Sequence, residues 1–232
     1  MRRRALILGG VLLLALAAMA QPLRDRLLQA GRAGLAAAQT FASSTPEEAE
    51  LTLQEISIWA LQLGVFDSGE RAAQEQERLL AQGIPCAVWQ REQMRLICEA
   101  ALAKEALDMT ASGGQETFVI AETAPQISLR LSAAQGEAEE AAAFLALPDG
   151  LLERLSAGEP LKEIMIETRE TAERALRAHP QNTIYTQLAQ SLLNWCALME
   201  QTMQAQTQAA AAAYARVTMY MLCRELRLTL NG

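Results

Sequence analysis

An arginine-flanked apolar run at the amino terminus constrains this chain more than any other feature. Arg2, Arg3 and Arg4 precede an uncharged segment, residues 5–20, which reads ALILGGVLLLALAAMA. Basic residues followed by an apolar segment are typical of a chain that enters a membrane with its first residues in the cytoplasm. We therefore expect residues 1–4 to be cytoplasmic and everything after residue 24 to lie outside the cytoplasm.

The apolar run supports two interpretations. One is a cleaved signal peptide, for which Ala18-Met19-Ala20 is a suitable A-x-A cleavage site. The other is an uncleaved transmembrane anchor over residues 5–23, at the short limit for a span of about 20 apolar residues. We expect the anchor, and thus a single-pass protein of the cell membrane with its bulk extracytoplasmic. Residues 24–50 follow as a linker of helical composition broken by Gly31 and Gly34.

Charge and residue counts exclude several classes of function. The formal net charge is -7 and the pI about 4.9, so nucleic acid is not expected as a partner. The single histidine, His179, excludes a catalytic triad or a zinc site built on several histidines. The four cysteines form no C-x-x-C pair: they are Cys86, Cys98, Cys196 and Cys223. No motif places an acid and a base across a cleft, so we expect no enzyme, no metal and no cofactor.

Residues 56–66 have the period of two that predicts a strand with one packed and one open face. The odd positions are large and apolar, namely Trp59, Leu61, Leu63 and Val65. The even positions are small or polar, namely Ala60, Gln62 and Gly64. A helix is predicted over residues 70–82, because Asp67-Ser68-Gly69 suits a helix start and Gly83 a helix stop.

Residues 84–90 and 93–98 predict a hairpin that turns at Glu92. In this register Val88 faces Leu96 and Cys86 faces Cys98 on the packed face, where the two thiols either stay free or form a disulfide. Trp89 then faces Arg95 on the open face, beside Gln62 and Gly64. An aromatic plate, an amide, a guanidinium and a flat glycine suit a sugar ring and its polar substituents. Gln62, Gly64, Trp89 and Arg95 are therefore the candidate binding residues.

The stretch Leu61-Gln62-Leu63-Gly64-Val65-Phe66 resembles the Q-x-G-x-F start of SPOR domains, the peptidoglycan-binding repeats of bacterial division and sporulation proteins. The helix that follows, the turn Gly83-Ile84-Pro85 and the strand Met94-Arg95-Leu96-Ile97 resemble the rest of the first repeat. The resemblance implies an α+β module over residues 51–147, a βαβ-βαβ antiparallel sheet with helices on one face. It also implies that the ligand is a peptidoglycan glycan strand. The second repeat departs from the family, since residues 99–102 lack its Gly-Pro pair and its second helix, near residues 104–109, is short.

Residues 148–232 are predicted to be helical, as a hairpin or as one long helix. Pro148-Asp149-Gly150 indicates a boundary, and residues 160–178 carry an apolar stripe of helical period. From residue 182 to residue 230 there is no proline and no internal glycine, which favours one long helix. Its stripe packs within the chain, or against a protein partner or a second copy.

Two functions compatible with these features differ in the surface that binds. The first is a membrane-anchored protein that binds peptidoglycan in cell-wall, division or sporulation processes through the open sheet face. The second is a non-enzymatic interaction scaffold that acts through its carboxy-terminal helices and keeps a degenerate SPOR module.

Overall fold

The computed structural model describes residues 47–133, 137–179 and 183–231. The predicted anchor, residues 5–23, and nearly all of the predicted linker lie outside these residues. None of the helices that the structure describes is long and apolar enough to cross a membrane.

The described chain is a mixed α+β fold with six strands in two antiparallel sheets and five α-helices. The strands are β1 (Glu47–Leu53), β2 (Ile56–Phe66), β3 (Ala87–Gln90), β4 (Met94–Ala101), β5 (Phe118–Ala124) and β6 (Ile127–Ala133). The helices are α1 (Gly69–Ala81), α2 (Glu137–Ser156), α3 (Leu161–Ala178), α4 (Thr183–Ala205) and α5 (Gln208–Leu230). The coarse prediction of an α+β fold with a helical carboxy-terminal segment is thus confirmed.

The larger sheet has the strand order β3-β4-β2-β5, and each neighbouring pair is antiparallel. Helix α1 connects β2 to β3, and a tight turn then connects β3 to β4. The predicted hairpin register is confirmed, because Val88 lies opposite Leu96 and Trp89 opposite Arg95. Strands β1 and β6 form a separate two-stranded sheet.

Local sequence explains where α1 begins and ends. The side chain of Ser68 accepts a hydrogen bond from the backbone N–H of Arg71, which satisfies one of the free donors of the first turn. After the helix, Gly83 has φ of +84°, a conformation that favours glycine. The helix predicted over residues 70–82 is therefore confirmed.

Two predictions for the carboxy-terminal half are wrong, a boundary that is absent and a break that was not predicted. Helix α2 runs without a break through Pro148, so the chain has no boundary there. The predicted single long helix is two helices, because Thr207 accepts a hydrogen bond from the N–H of Ala210 and starts α5 as its N-cap. The side chain of Gln206, in the connection, donates to the backbone carbonyl of Leu80 at the end of α1.

The larger sheet is packed on both of its faces. On one face, which we call the helical face, Ile58 and Ala60 share a hydrophobic core with helices α2 to α5. On the other, which we call the α1 face, Leu61 and Leu96 pack in a smaller core with Leu79 of α1. Of the alternatives for the apolar stripes of α4 and α5, packing within the chain is therefore the one observed.

Candidate functional site

The four residues predicted to bind a sugar do not form an open surface. Trp89 is only 3% exposed and Gln62 only 7%, because both lie on the helical face beneath α5. The ring of Tyr220, from α5, meets the Trp89 ring edge-on with 5.5 Å between the centroids. A Cβ added to Gly64 would lie 3.0 Å from the Phe66 ring, so its missing side chain makes room for Phe66. The prediction that this face is open is wrong.

The predicted alternation on β2 holds as far as Gln62, where the error concerns only what covers each face. The register shift between Gln62 and Gly64 then places Gly64 opposite Leu96 on the α1 face and Val65 opposite Arg95, so the predicted faces of Gly64 and Val65 are wrong. The helical face carries small side chains on three neighbouring strands, Ala60, Ala87 and Ala100, all fully buried or nearly so. Small residues on a sheet allow a helix to approach closely. That pattern, together with the unpartnered stripe of α5, is the signal from which the covering helix could have been inferred.

Strand β2 bends sharply in its middle. Arg95 of β4 lies opposite Val65, whereas Glu122 of β5 lies opposite Ile58. In a straight strand these two positions of β2 would be about 23 Å apart. Yet Arg95 Nη1 is 3.4 Å from Glu122 Oε1. Two register shifts between β2 and β4, at residues 61–64, account for this approach, because bulges bend a strand. The sheet therefore curls around the helix on its helical face.

This curl gathers charged side chains around the buried Trp89 ring. The guanidinium carbons of Arg91 and Arg224 lie 5.1 Å and 5.9 Å from the ring centroid, in cation–π range. Arg91 and Arg95 both donate to the carboxylate of Glu122. The aromatic plate and the guanidinium predicted for a sugar are thus engaged inside the protein.

The burial of Tyr220 beside this cluster affects its ionisation. Desolvation, aided by the negative charge of Glu122, raises the pKa of the Tyr220 phenol to about 12. The phenol is therefore neutral at physiological pH, as its buried position requires.

A second buried ion pair covers the free edge of β4. The pairing between β3 and β4 stops at Ala87, the first residue of β3, which lies opposite Ile97. The residues of β4 after Ile97 therefore have no strand on that side. Arg216 of α5 donates from Nε to the carbonyl of Ala100 at 3.1 Å and to the carboxylate of Glu99 at 2.9 Å. Burial raises the pKa of the Glu99 carboxyl, and the hydrogen bonds from Arg216 oppose that rise. Helix α5 therefore supplies the polar partners that the missing strand leaves unsatisfied.

Arg227, which is fully buried, fixes the far end of α5. It donates to the carboxylate of Asp149 in α2 and to the carbonyl of Gln54 in the β1–β2 turn. The Nη2 to Gln54 carbonyl distance is 2.8 Å. These contacts make the sheet and the carboxy-terminal helices one packed unit.

An open surface exists on the α1 face instead, over β2 and β5. The chain between β4 and β5 forms two 3-10 turns, Lys104–Ala106 and Met109–Ser112, where a second βαβ unit would have a helix. On β5 the alternate residues Val119, Ala121 and Thr123 are therefore exposed. Part of the sheet is left uncovered on the side opposite to the predicted one.

Trp59 lies at the centre of this open surface. It is half-buried and stands opposite Ala121 of β5 and Ala101 of β4. Lys104 Nζ lies 5.3 Å from the centroid of its ring. The hydroxyls of Ser57 and Thr123 lie 3.3 Å apart on the same face. We call the set of Ser57, Trp59, Lys104, Ala121 and Thr123 the Trp59 platform.

The alternation on β2 predicts Trp59 on the packed face, so Trp59 is not among the predicted binding residues. The face was right, but α1 covers it only as far as Leu61 and Leu96. The short second helix noted near residues 104–109 was the available signal, because a sheet without that helix has an uncovered part.

The Trp59 platform can bind a ring by stacking, since an indole face offers a large apolar plate next to polar groups. Two hydroxyls and an ammonium group provide donors around it. Among the residues that the structure describes, no cluster of His, Cys, Asp or Glu could hold a metal ion.

Comparisons with known proteins add no relative. A scan against protein-family models found no match, and searches of curated proteins and of solved structures found none either. The function of the chain must therefore be argued from its own residues and geometry.

Proposed function

We propose that this chain is a non-enzymatic, membrane-anchored protein that binds peptidoglycan glycan strands outside the cytoplasm, and that it does so through the Trp59 platform. The proposal joins the SPOR resemblance of residues 61–66 and the apolar run at residues 5–23 to the partly exposed tryptophan on the uncovered part of the described sheet. It moves the binding site from Trp89 to the opposite face.

Topology supports the SPOR-like part of this proposal. In a split βαβ motif, another strand lies between the two strands that the helix joins. Here α1 joins β2 to β3, β4 lies between these two strands, and β5 lies on the other side of β2, which gives the order β3-β4-β2-β5. Helix α1 packs on one face of the sheet and helices α2 to α5 on the other, which departs from the helices on one face that the resemblance implies. The second repeat differs, because 3-10 turns stand in place of its helix.

The observation that carries the proposal is the half-buried Trp59 on an uncovered sheet face. A tryptophan costs free energy when its apolar ring faces water, so an indole left partly exposed beside a cation and hydroxyls favours a ligand that stacks. A sugar ring with hydroxyl and N-acetyl substituents matches both the plate and the donors around it. The net charge of -7 gives no long-range attraction to an anionic polymer, so contact energy at the platform has to supply the affinity.

The test is co-sedimentation of the full chain, purified in detergent, with isolated wall sacculi. Trp59→Ala is expected to weaken binding by about 1–3 kcal/mol, the free energy of a lost stacking contact. Trp59→Phe is the matched control, because it keeps a smaller aromatic plate and so retains most of the binding. Thermal unfolding of each variant checks that the fold persists. Wall binding by Trp59→Ala that equals the parent's would refute the proposal.

The scaffold alternative has less support. Helices α4 and α5 bury their apolar stripes in the chain's own core, including Trp195 and Tyr214, which are fully buried. Trp195 also donates from Nε1 to the hydroxyl of Thr218 in α5 at 3.0 Å. Little of these two helices is therefore left for a partner.

A further inference from the structure

Strand β5 has an unprotected edge. It is last in the order of the larger sheet, and β2 is its only strand neighbour in the described part of the chain. Its sequence, FVIAETA, contains no proline and no lysine, and its register with β2 is regular over all seven residues. Natural sheets usually protect an edge strand by such residues or by a bulge. Of the known protections β5 has only an inward-pointing charge, Glu122, and that carboxylate is already paired with Arg91 and Arg95 of its own chain. The backbone edge of β5 can therefore pair with another strand.

The exposed residues of β5 are apolar or uncharged. Phe118 is 57% exposed and Val119 is 38% exposed, among the largest exposures of apolar side chains in the described residues. The one charged residue, Glu122, is turned under the sheet to Arg91 and Arg95, and its side chain is only 12% exposed. No charge on the strand therefore opposes the approach of another strand with the same sequence.

We propose that β5 pairs antiparallel with β5 of a second copy of this chain, with Ala121 opposite Ala121. Antiparallel pairing of identical strands generates the two-fold symmetric contact most common in homodimers. This register uses all seven residues and sets Val119 opposite Thr123 and Phe118 opposite Ala124. A register centred on Glu122 would instead set two carboxylates opposite each other, which is unfavourable.

This pairing has a consequence that rests on the proposed function. Trp59 lies opposite Ala121 within one copy, so a single row crosses the joint sheet from Trp59 through two alanines to Trp59 of the second copy. Three strand spacings separate the two tryptophans, about 14 Å. Because only alanines lie between them, the two Trp59 platforms form one flat floor for an extended glycan strand.

The contact is small, which determines how it behaves. A ladder of seven residue pairs buries less surface than the roughly 1,200–2,000 Å² of a stable interface. The dimer is therefore expected to form reversibly and only as the protein concentration rises. A covalent trap is therefore a better test than elution volume.

The test uses single cysteine variants of the full chain in detergent, oxidised under mild conditions and separated on a non-reducing gel. Ala121→Cys is expected to give a disulfide-linked dimer, because directly opposite residues of an antiparallel pair lie about 4.5–5.5 Å apart between Cα atoms. Ser57→Cys is the matched control. It is exposed on the same face, but its mate in the dimer would be about 20 Å away by the same spacings. The native cysteines are buried, which keeps the background low.

A yield of linked dimer from Ala121→Cys no greater than that from Ser57→Cys overturns the pairing, whatever other partner the edge takes. An Ala121→Lys variant adds a second readout, because two lysines opposite each other disfavour the pair. It is expected to sediment as a monomer at concentrations where the parent dimerises, and an unchanged dimer would also overturn the proposal. Wall binding separates the two proposals: if Ala121→Cys fails to link while Trp59→Ala loses binding, the pairing fails and the proposed function stands.

Discussion

Replacing Trp89 by alanine should lower the free energy of unfolding more than the same replacement at Trp59. The Trp89 ring is 3% exposed, and truncating a buried tryptophan to alanine costs about 3–5 kcal/mol. Its edge-on contact with Tyr220, worth about 0.5–1.5 kcal/mol, is part of that loss and places it toward the upper end of the range. We therefore expect a loss of roughly 4–5 kcal/mol, a large part of the 5–15 kcal/mol by which folded proteins are stable.

Denaturant unfolding of the parent, Trp89→Ala and Trp59→Ala measures this ordering. Trp59→Ala removes a half-buried ring without a helix above it, so we expect it to lower the unfolding free energy by only about 1–2 kcal/mol. Trp89→Phe controls for volume, since it keeps an aromatic ring against Tyr220. A Trp89→Ala protein as stable as Trp59→Ala would refute the burial of Trp89 under α5, and with it the assignment of the two sheet faces.

Two further predictions concern buried ionisable groups. Burial raises the pKa of Glu99 above its ordinary 4.5, so the folded state holds that proton more tightly than the unfolded state. The unfolding free energy of the parent, measured relative to that of Glu99→Gln, should therefore fall as pH rises above 4.5. A difference that stays constant with pH in denaturation experiments would contradict this. Burial also raises the pKa of the Cys98 thiol to about 12, and that of Cys86 still further, so both should resist alkylation at pH 8 in the folded protein. Mass spectrometry after alkylation of the folded protein decides the latter, and rapid modification of either thiol at pH 8 would contradict it.

Local signals predicted the local structure well. The hairpin turning at Glu92 and the helix after Ser68 each depend on a few neighbouring residues, and each is present. The alternation on β2 is present as far as Gln62, beyond which the register shift reverses it. Thr207 shows the limit of the same reasoning. Its hydroxyl can cap a helix, but a mid-helix threonine is also tolerated, so propensity alone did not divide α4 from α5.

The sequence did not indicate which helices cover each face of the sheet. Both faces of β2 carry residues that a core accepts, Ile58 and Ala60 on one and Leu61 on the other. Whether α5 lies on one of them depends on contacts between residues more than 100 positions apart, such as Arg216 with Glu99. Periodicity has no access to such separations, and the candidate site failed for that reason while the coarse fold class did not.

The hydrogen bond from Arg227 to the carbonyl of Gln54 joins residues 173 positions apart in the chain. During synthesis, the sheet therefore cannot be completed until α5 has left the ribosome. Before α5 packs on the sheet, Trp89 is exposed on the helical face and the edge of β4 lacks its contacts with Arg216. Contacts this distant slow folding, because the loop they close must be ordered before they stabilise anything. An exported chain would therefore become compact only after its last helix had also crossed the membrane.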